Sequence, residues 1–497
     1  MPVGSNMALP AKDRALIWKV IGVYILIWLV GFIFAPAFFI QNLPILLPSI
    51  VAIAIFLCFC LWLRFQVQDN IFGEIGFIYL AFALVYTVFP AYGFLTLDSL
   101  SSAIGFQDLA TLSPDQGELG LHLWRHVLFI TAVGSGYLLF RGRHTPKFNS
   151  FKNFGNAEKP IIRFLFVIIV LSIVVLWSLS GPVDAYVDNY TRYDHLSWLA
   201  RRVVTICTVL KTGGTFVLLT AMFGDYKRYR LYIWPFVLLR AGLEVLNSLG
   251  SRIDAFFILA AAMLLYRYCV KPVTLRKGLL IAVAFVLVFS VIEMVRFVEL
   301  DRSVLEDTVF QGRGMPAGEL GAVFVPGFHL YSERSRGALP PVEWQMLFND
   351  FISIVPLVDQ TKWNPMYWYA NNYFPDAVVP PLTLGPIAES ALWGGEIDLL
   401  VRGLINGALF AFVMRWFARD GGKWQVMTIY AFCYATCIMC LKYSIFWHLT
   451  PLVKIILPLV LIVSALAKNI QRSPKLRGNR RYERIAPGIT PESLQAS

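Results

Sequence analysis

The chain has 497 residues, 57% of them hydrophobic and 15% charged, with a net charge of +12. A soluble domain carries about a quarter charged residues. Long apolar runs recur from end to end, so the composition excludes a soluble globular protein and points to a polytopic membrane protein.

In chain order, twelve segments have the length and apolarity of membrane spans: 15–34, 43–63, 72–94, 121–140, 160–181, 203–223, 231–249, 253–270, 278–298, 398–417, 425–444 and 449–467. The first follows Lys12, Arg14 and Lys19. It is too long for the core of a signal peptide and reads as a retained span. With the N-terminus in the cytoplasm, the inner segments hold Arg64, Arg141–Lys159, Lys227–Arg230, Arg267–Lys277, Arg415–Lys423 and the tail from Lys468. Those segments contain more than half of the chain's 43 Lys and Arg, so the positive-inside rule puts both termini in the cytoplasm. The outer loop 96–120 has Asp98, Asp108, Asp115 and Glu118 and no cation. The positive charge therefore reads as topology and contact with anionic lipid, not nucleic-acid binding.

The expected fold is an all-α polytopic membrane protein with twelve transmembrane helices and one large structured loop on the outer side. Residues 1–298 hold nine spans, 299–397 the loop domain, 398–467 three more spans and 468–497 a basic tail. A loop that long is expected to be structured and functional. Within it, Trp344, Leu347, Phe348, Phe351, Ile352 and Val355 recur at helical spacing, opposite Glu343, Gln345, Asn349, Asp350 and Ser353. This predicts an amphipathic helix that lies on the membrane or closes over a site. The run "WNPMYWYANNYFP", residues 363–375, reads either as an interfacial aromatic belt or as a surface for stacking sugar rings, with Trp368 and Tyr369 the candidates for stacking.

Cations in the outer halves of the spans run against the general asymmetry: Arg125, Arg202, Lys211, Arg240, Arg252, Arg296, Arg402, Lys442 and Lys454. Each alone reads most simply as a snorkelling or ion-paired residue. Arg240 and Glu244 fall at i, i+4, and Glu293 and Arg296 at i, i+3. As a group the cations outnumber the intramembrane acids, which suggests an anionic ligand near the outer leaflet. A lipid pyrophosphate fits, because guanidinium forks match its oxygens. Arg252, which opens the span "GSRIDAFFILA", is the leading candidate, followed by Arg240, Arg296 and Arg402.

Other chemistry is not visible. The sequence has no P-loop and no His/Cys spacing suited to zinc. Cys433, Cys437 and Cys440 share a helix face and read as packing. The uncharged loop 35–42 disfavours the lipid-phosphate-sugar transferases that place an acidic pair there. Acidic pairs do flank the large loop, Glu299/Asp301 before it and Glu396/Asp398 after it, and read as solvated helix ends.

Three features together resemble the bacterial O-antigen polymerases, the oligosaccharide repeat-unit polymerases of the cell envelope. They are the twelve-span plan with one large outer loop before the last three spans, the Ser-Arg opening of "GSRIDAFFILA", and "GPIAESALWGGEIDLLVRGLINGALFAF" at 385–412. The last is similar to the Glu, Gly-x-x-Gly, Gly pattern by which that family's chain passes from loop into span. The resemblance implies a GT-C-like enzyme of the bacterial inner membrane. It would carry out inverting glycosyl transfer at the periplasmic face between undecaprenyl-pyrophosphate-linked oligosaccharides. It also implies no cofactor and no metal, membrane lipids as surroundings and a chain-length regulator as a candidate protein partner. Arginines would stabilise the departing pyrophosphate, and a carboxylate or histidine would take the acceptor proton. Glu389 is the expected base, with His329 and Asp398 behind it. The rival readings are an O-antigen ligase, which joins the same donor to lipid A core or protein, and a lipid-linked oligosaccharide flippase.

Overall fold

In the computed structural model, the residues described are 11–67, 71–97, 116–142, 154, 157–180, 196–247, 253–271, 317–355, 363–373 and 383–472. Among them the architecture is all-helical. The longer helices are α1 (Ala11–Phe34), α3 (Leu43–Val67), α4 (Ile75–Leu97), α5 (Gln116–Arg141), α6 (Glu158–Ser180), α7 (Trp198–Gly224), α8 (Tyr226–Asn247), α9 (Ile253–Cys269), α10 (Ala317–Arg336) and α14 (Glu396–Asp420). A short α2 (Pro36–Gln41) links α1 to α3. Between α10 and α14 lie three short pieces, α11 (Asn349–Ile352), α12 (Pro365–Tyr373) and α13 (Pro386–Leu392). After α14 come α15 (Trp424–Thr436), α16 (Met439–Lys442) and α17 (Leu449–Arg472), which contains a π turn at Leu452–Ile456.

Six helices among the described residues are long and apolar enough to cross a membrane: Leu43–Arg64, Gln116–Arg141, Glu158–Leu179, Trp198–Gly224, Glu396–Asp420 and Leu449–Arg472. The expected span 278–298 lies outside the described residues. The expected span 425–444 is broken: α15 ends at Thr436, α16 is one turn long, and the backbone leaves the helical region at Tyr443.

The centre of the fold is the packing of α14 on α5. Leu399, Arg402, Gly403, Asn406, Gly407, Phe410, Ala411, Met414 and Phe417 form the buried stripe of α14. Ile397, Leu400, Val401, Ile405, Leu409 and Phe412 face outward. The outward face is largely apolar, and the buried stripe joins small and apolar residues to the polar Arg402 and Asn406, the arrangement that lipid favours. Its approach to α5 is backbone-close. A Cβ at Gly407 would fall 2.1 Å from the Val133 carbonyl oxygen, and one at Gly403 2.6 Å from Ala132 Cβ. From the other side, a Cβ at Gly136 would fall 2.3 Å from the Leu404 carbonyl oxygen.

At the opposite end of α5 from Gln116, a fully buried ion pair closes the bundle. Arg141 donates to Glu74 from Nε at 2.9 Å and from Nη2 at 2.5 Å, and Tyr137 donates to Glu74 Oε2 at 2.5 Å. The adjoining 3-10 turn Ile71–Gly73 has its carbonyls taken by tyrosines: Tyr430 and Tyr268 donate to Gly73, and Tyr434 to Phe72. A buried charge needs this kind of complete pairing.

The described part of the expected loop domain is not a detached body. Helix α10 packs on α4, α5 and α13, burying Phe324, Phe328, Leu330 and Tyr331. The expected amphipathic helix is present as a 3-10 turn, Trp344–Phe348, running into α11.

Gly407→Ala should destabilise the protein by about 1–3 kcal/mol, the cost of forcing volume into a packed contact. Gly422→Ala, with nothing within 4 Å of the added carbon, should leave the melting curve unchanged. Thermal unfolding in detergent compares the two.

Candidate functional site

Helix α13 begins at Pro386, whose fixed φ suits a first helical position. Gly385 precedes it because a Cβ there would meet the Leu441 carbonyl oxygen at 2.1 Å. One turn in, Glu389 points into the protein and is 7% exposed. The chain then turns through Gly395, at φ +63, into α14. Arg334 of α10 pins this turn, donating from Nη1 to the carbonyls of Ala391 at 2.6 Å and Trp393 at 2.8 Å. Arg125 of α5 donates from Nε to Glu396 Oε1 at 2.8 Å and sits over the ring of Tyr331, 3.9 Å from its centroid.

Arg402 stands between two carboxylates. Its Nη1 donates to Glu389 Oε2 and its Nε to Asp398 Oδ2, both at 2.5 Å. A single guanidinium thus serves two acids, with Asp350 close enough to act on both Glu389 and Arg402 electrostatically. Burial pushes the Glu389 carboxyl up to about 8. Arg402 draws it down by less than burial raises it, and the charges of Asp350 and Asp398 add to the rise. In the neutral form its carbonyl oxygen still accepts from Arg402.

Glu389 and Asp350 line one cavity of about 300 Å³. Asn349, Ser353, Asn364, Ser444 and Thr450 supply amide and hydroxyl groups, and Tyr443 and Trp447 supply aromatic rings. Those two rings lie nearly parallel, 17° apart with centroids at 6.1 Å. Burial also raises the Asp350 carboxyl, offset in part by Ser444 and then Arg402. Carboxylates, amides, hydroxyls and aromatic faces around one space are the chemistry that binds a polyhydroxylated molecule.

The sequence candidates distribute unevenly over this site. Glu389, Asp398 and Arg402 come together. His329 does not line the cavity: it is buried, its Nδ1 is 2.9 Å from the Tyr369 hydroxyl, and its ring packs on Tyr373. Burial moves its pKa down. Tyr369 is fully buried and presents no open ring face, and Trp368 donates from its indole to the Pro341 carbonyl at 3.0 Å. Arg240 is elsewhere, paired with Glu244, which also takes Lys211 at 2.9 Å. Asp254 lies within electrostatic reach of that group. Arg252 and Arg296 lie outside the described residues. The expected surplus of unpaired outer cations is reduced accordingly, because Arg125, Lys211, Arg240 and Arg402 each have a carboxylate partner.

Asp350, Tyr443, Ser444 and Trp447 were missed as site residues. Asp350 had counted only as the polar side of an amphipathic segment, and the last three are brought in by the break after α16. His448, half-buried, lies beside this break. The Cys440 thiol lies 2.7 Å from His448 Nδ1, and His448 Nε2 lies 3.1 Å from the Cys433 carbonyl oxygen. Among the described residues, no three His, Cys, Asp or Glu side chains are grouped to hold a metal ion.

Comparison of the chain with family models, with curated proteins and with solved structures returns no match.

Arg402→Ala should cost about 1–3 kcal/mol, because it leaves the buried Glu389 carboxyl and the half-buried Asp398 without their shared donor. Adding Glu389→Gln and Asp398→Asn to it should recover part of the loss. Melting temperatures of the single and triple variants in one detergent check this.

Proposed function

We propose that the chain is a membrane glycosyltransferase that polymerises polyprenyl-pyrophosphate-linked oligosaccharide repeat units at the periplasmic face of the bacterial inner membrane, with twelve spans and both termini inside. The observation that carries this reading is the shared cavity of Glu389 and Asp350, with its hydroxyls, amides and paired rings. It suits a sugar acceptor better than a free anion, since two carboxylates line it.

In the proposed step, an acceptor hydroxyl oxygen forms a bond to the anomeric carbon of the donor glycan. The bond from that carbon to the pyrophosphate oxygen breaks, and the pyrophosphate lipid leaves with the electron pair. Glu389 takes the hydroxyl proton on Oε1, the oxygen not held by Arg402. A base with a pKa near 8 is well matched to a neutral or mildly alkaline medium. Arg402 acts as the positioning cation that fixes Glu389 and Asp398. The departing pyrophosphate is left to other outer cations, Arg252 first among them by sequence.

The test is purified protein mixed with a lipid-linked repeat unit, without nucleotide sugar. A ladder of products supports the polymerase. Transfer only onto a lipid A core acceptor makes the chain a ligase, and movement of intact substrate across a vesicle bilayer without new linkage makes it a flippase. The initial rate should rise with pH through about 8, as Glu389 loses its proton. Glu389→Gln should lose product by a factor of about 100 or more, the usual loss when an acid–base group is removed. A wild-type rate that is flat from pH 6 to 9, or an active Glu389→Gln, removes Glu389 as the base.

A further inference from the structure

The stretch 343–355 has two faces with opposite chemistry. Asn349, Asp350 and Ser353 line the cavity. On the other side Trp344, Leu347, Phe348, Phe351 and Val355 are 44–66% exposed. Five large apolar side chains left open together call for a cover.

What covers them follows from where the stretch is fastened. The hydroxyls of Ser353 and Thr450 are hydrogen-bonded, and Thr450 Oγ1 also donates to the Asp350 carbonyl at 3.4 Å. Phe351 packs on Phe446, with centroids 5.0 Å apart. Thr450 lies in the first turn of α17, a helix long and apolar enough to cross a membrane. The exposed face therefore sits level with the end of a span. In α17 itself Val453, Leu461 and Ile462 are likewise exposed. From 337 to 355 the only charged residues are Glu343 and Asp350, with no Lys or Arg. Attraction to anionic headgroups plays no part, so attachment would rest on apolar burial alone.

We infer that this stretch is seated in the boundary between headgroups and hydrocarbon of the bilayer that the protein spans, with Trp344, Leu347, Phe348, Phe351 and Val355 in lipid and Asn349, Asp350 and Ser353 in the cavity. The cavity is then roofed by a membrane-seated strap at headgroup depth. A lipid-linked ligand carries its polar group at that depth, and such a ligand can reach the site without leaving the membrane plane. The inference rests on membrane placement alone and stands or falls apart from glycosyl transfer.

The test uses the full chain in phosphatidylcholine nanodiscs, with photoreactive p-benzoylphenylalanine replacing one residue at a time. Phe348→p-benzoylphenylalanine should yield lipid adducts on illumination, at a yield about equal to that of the same probe at Leu171. Leu171 is an outward-facing residue of a span and serves as the control. The probe at Met346, the buried residue of the same turn, should instead give adducts within the chain. Replacing part of the phosphatidylcholine with phosphatidylglycerol should leave the Phe348 yield unchanged. Adducts from position 348 to a second copy of the chain, or loss of lipid adducts there while Leu171 still labels, would overturn the inference. Melting curves of the labelled proteins exclude misfolding as the cause.

Discussion

The backbone contact between α5 and α14 is the constraint on which the rest depends. Apolar side chains gain nothing by leaving lipid for one another, so membrane helices are held by close packing and internal polar bonds. Gly136, Gly403 and Gly407 let the two backbones touch, and every other feature of α14 takes its position from that contact. Arg402 is next to Gly403 and is therefore driven into the interior. Once there, it needs acids, and Asp398 on its own helix and Glu389 on α13 supply them. The turn that carries Glu389 is in turn fixed by Arg334 and Gly395. The candidate site is the outer consequence of a glycine seam.

A similar logic runs through the other buried charges. Glu74 is matched by Arg141 and Tyr137 of α5, and Glu244 by Arg240 on its own helix and Lys211 of α7. None of these pairs is strong evidence of stability, since desolvation offsets much of the attraction. Their value lies in geometry: a helix that rotates out of register strands a charge. The Arg402 group differs in holding more acid than base. Burial raises the Glu389 carboxyl, that excess adds to the rise, and the group is set apart from the other two by it.

Much of this was legible in the sequence, for physical reasons. Helix positions follow from apolar runs, and Arg240 with Glu244 follows from i, i+4 spacing. Glu389, Asp398 and Arg402 stood out because a charge near a span needs an explanation. What sequence spacing does not carry is contact between remote elements. Arg125 and Glu396 are 271 residues apart, and Asp350 reaches the cavity only through the fold. Counting outer cations against nearby acids overstated the surplus for this reason. The aromatic run at 363–375 shows another side of the same limit. Composition marked Trp368 and Tyr369, yet Tyr369 is fully buried and the indole of Trp368 is tied to the Pro341 carbonyl, while Tyr443, in a stretch read as span, and Trp447, just beyond it, line the cavity. The 3-10 turn at Trp344–Phe348 kept its apolar stripe although it is not the regular helix the spacing predicted.

The buried polar groups of α14 also bear on how the chain is assembled. With Asp398, Arg402 and Asn406 on one stripe, this helix is a poor insert by itself, since polar and charged side chains inside a span are costly. The partner that accepts its glycines, α5, lies far upstream and is synthesised first. When α14 emerges, the seam and Arg125 are already in the membrane to receive it. Order of synthesis thus supplies what the segment's own hydropathy lacks, and α14 cannot be moved ahead of α5 in the chain without losing that reception.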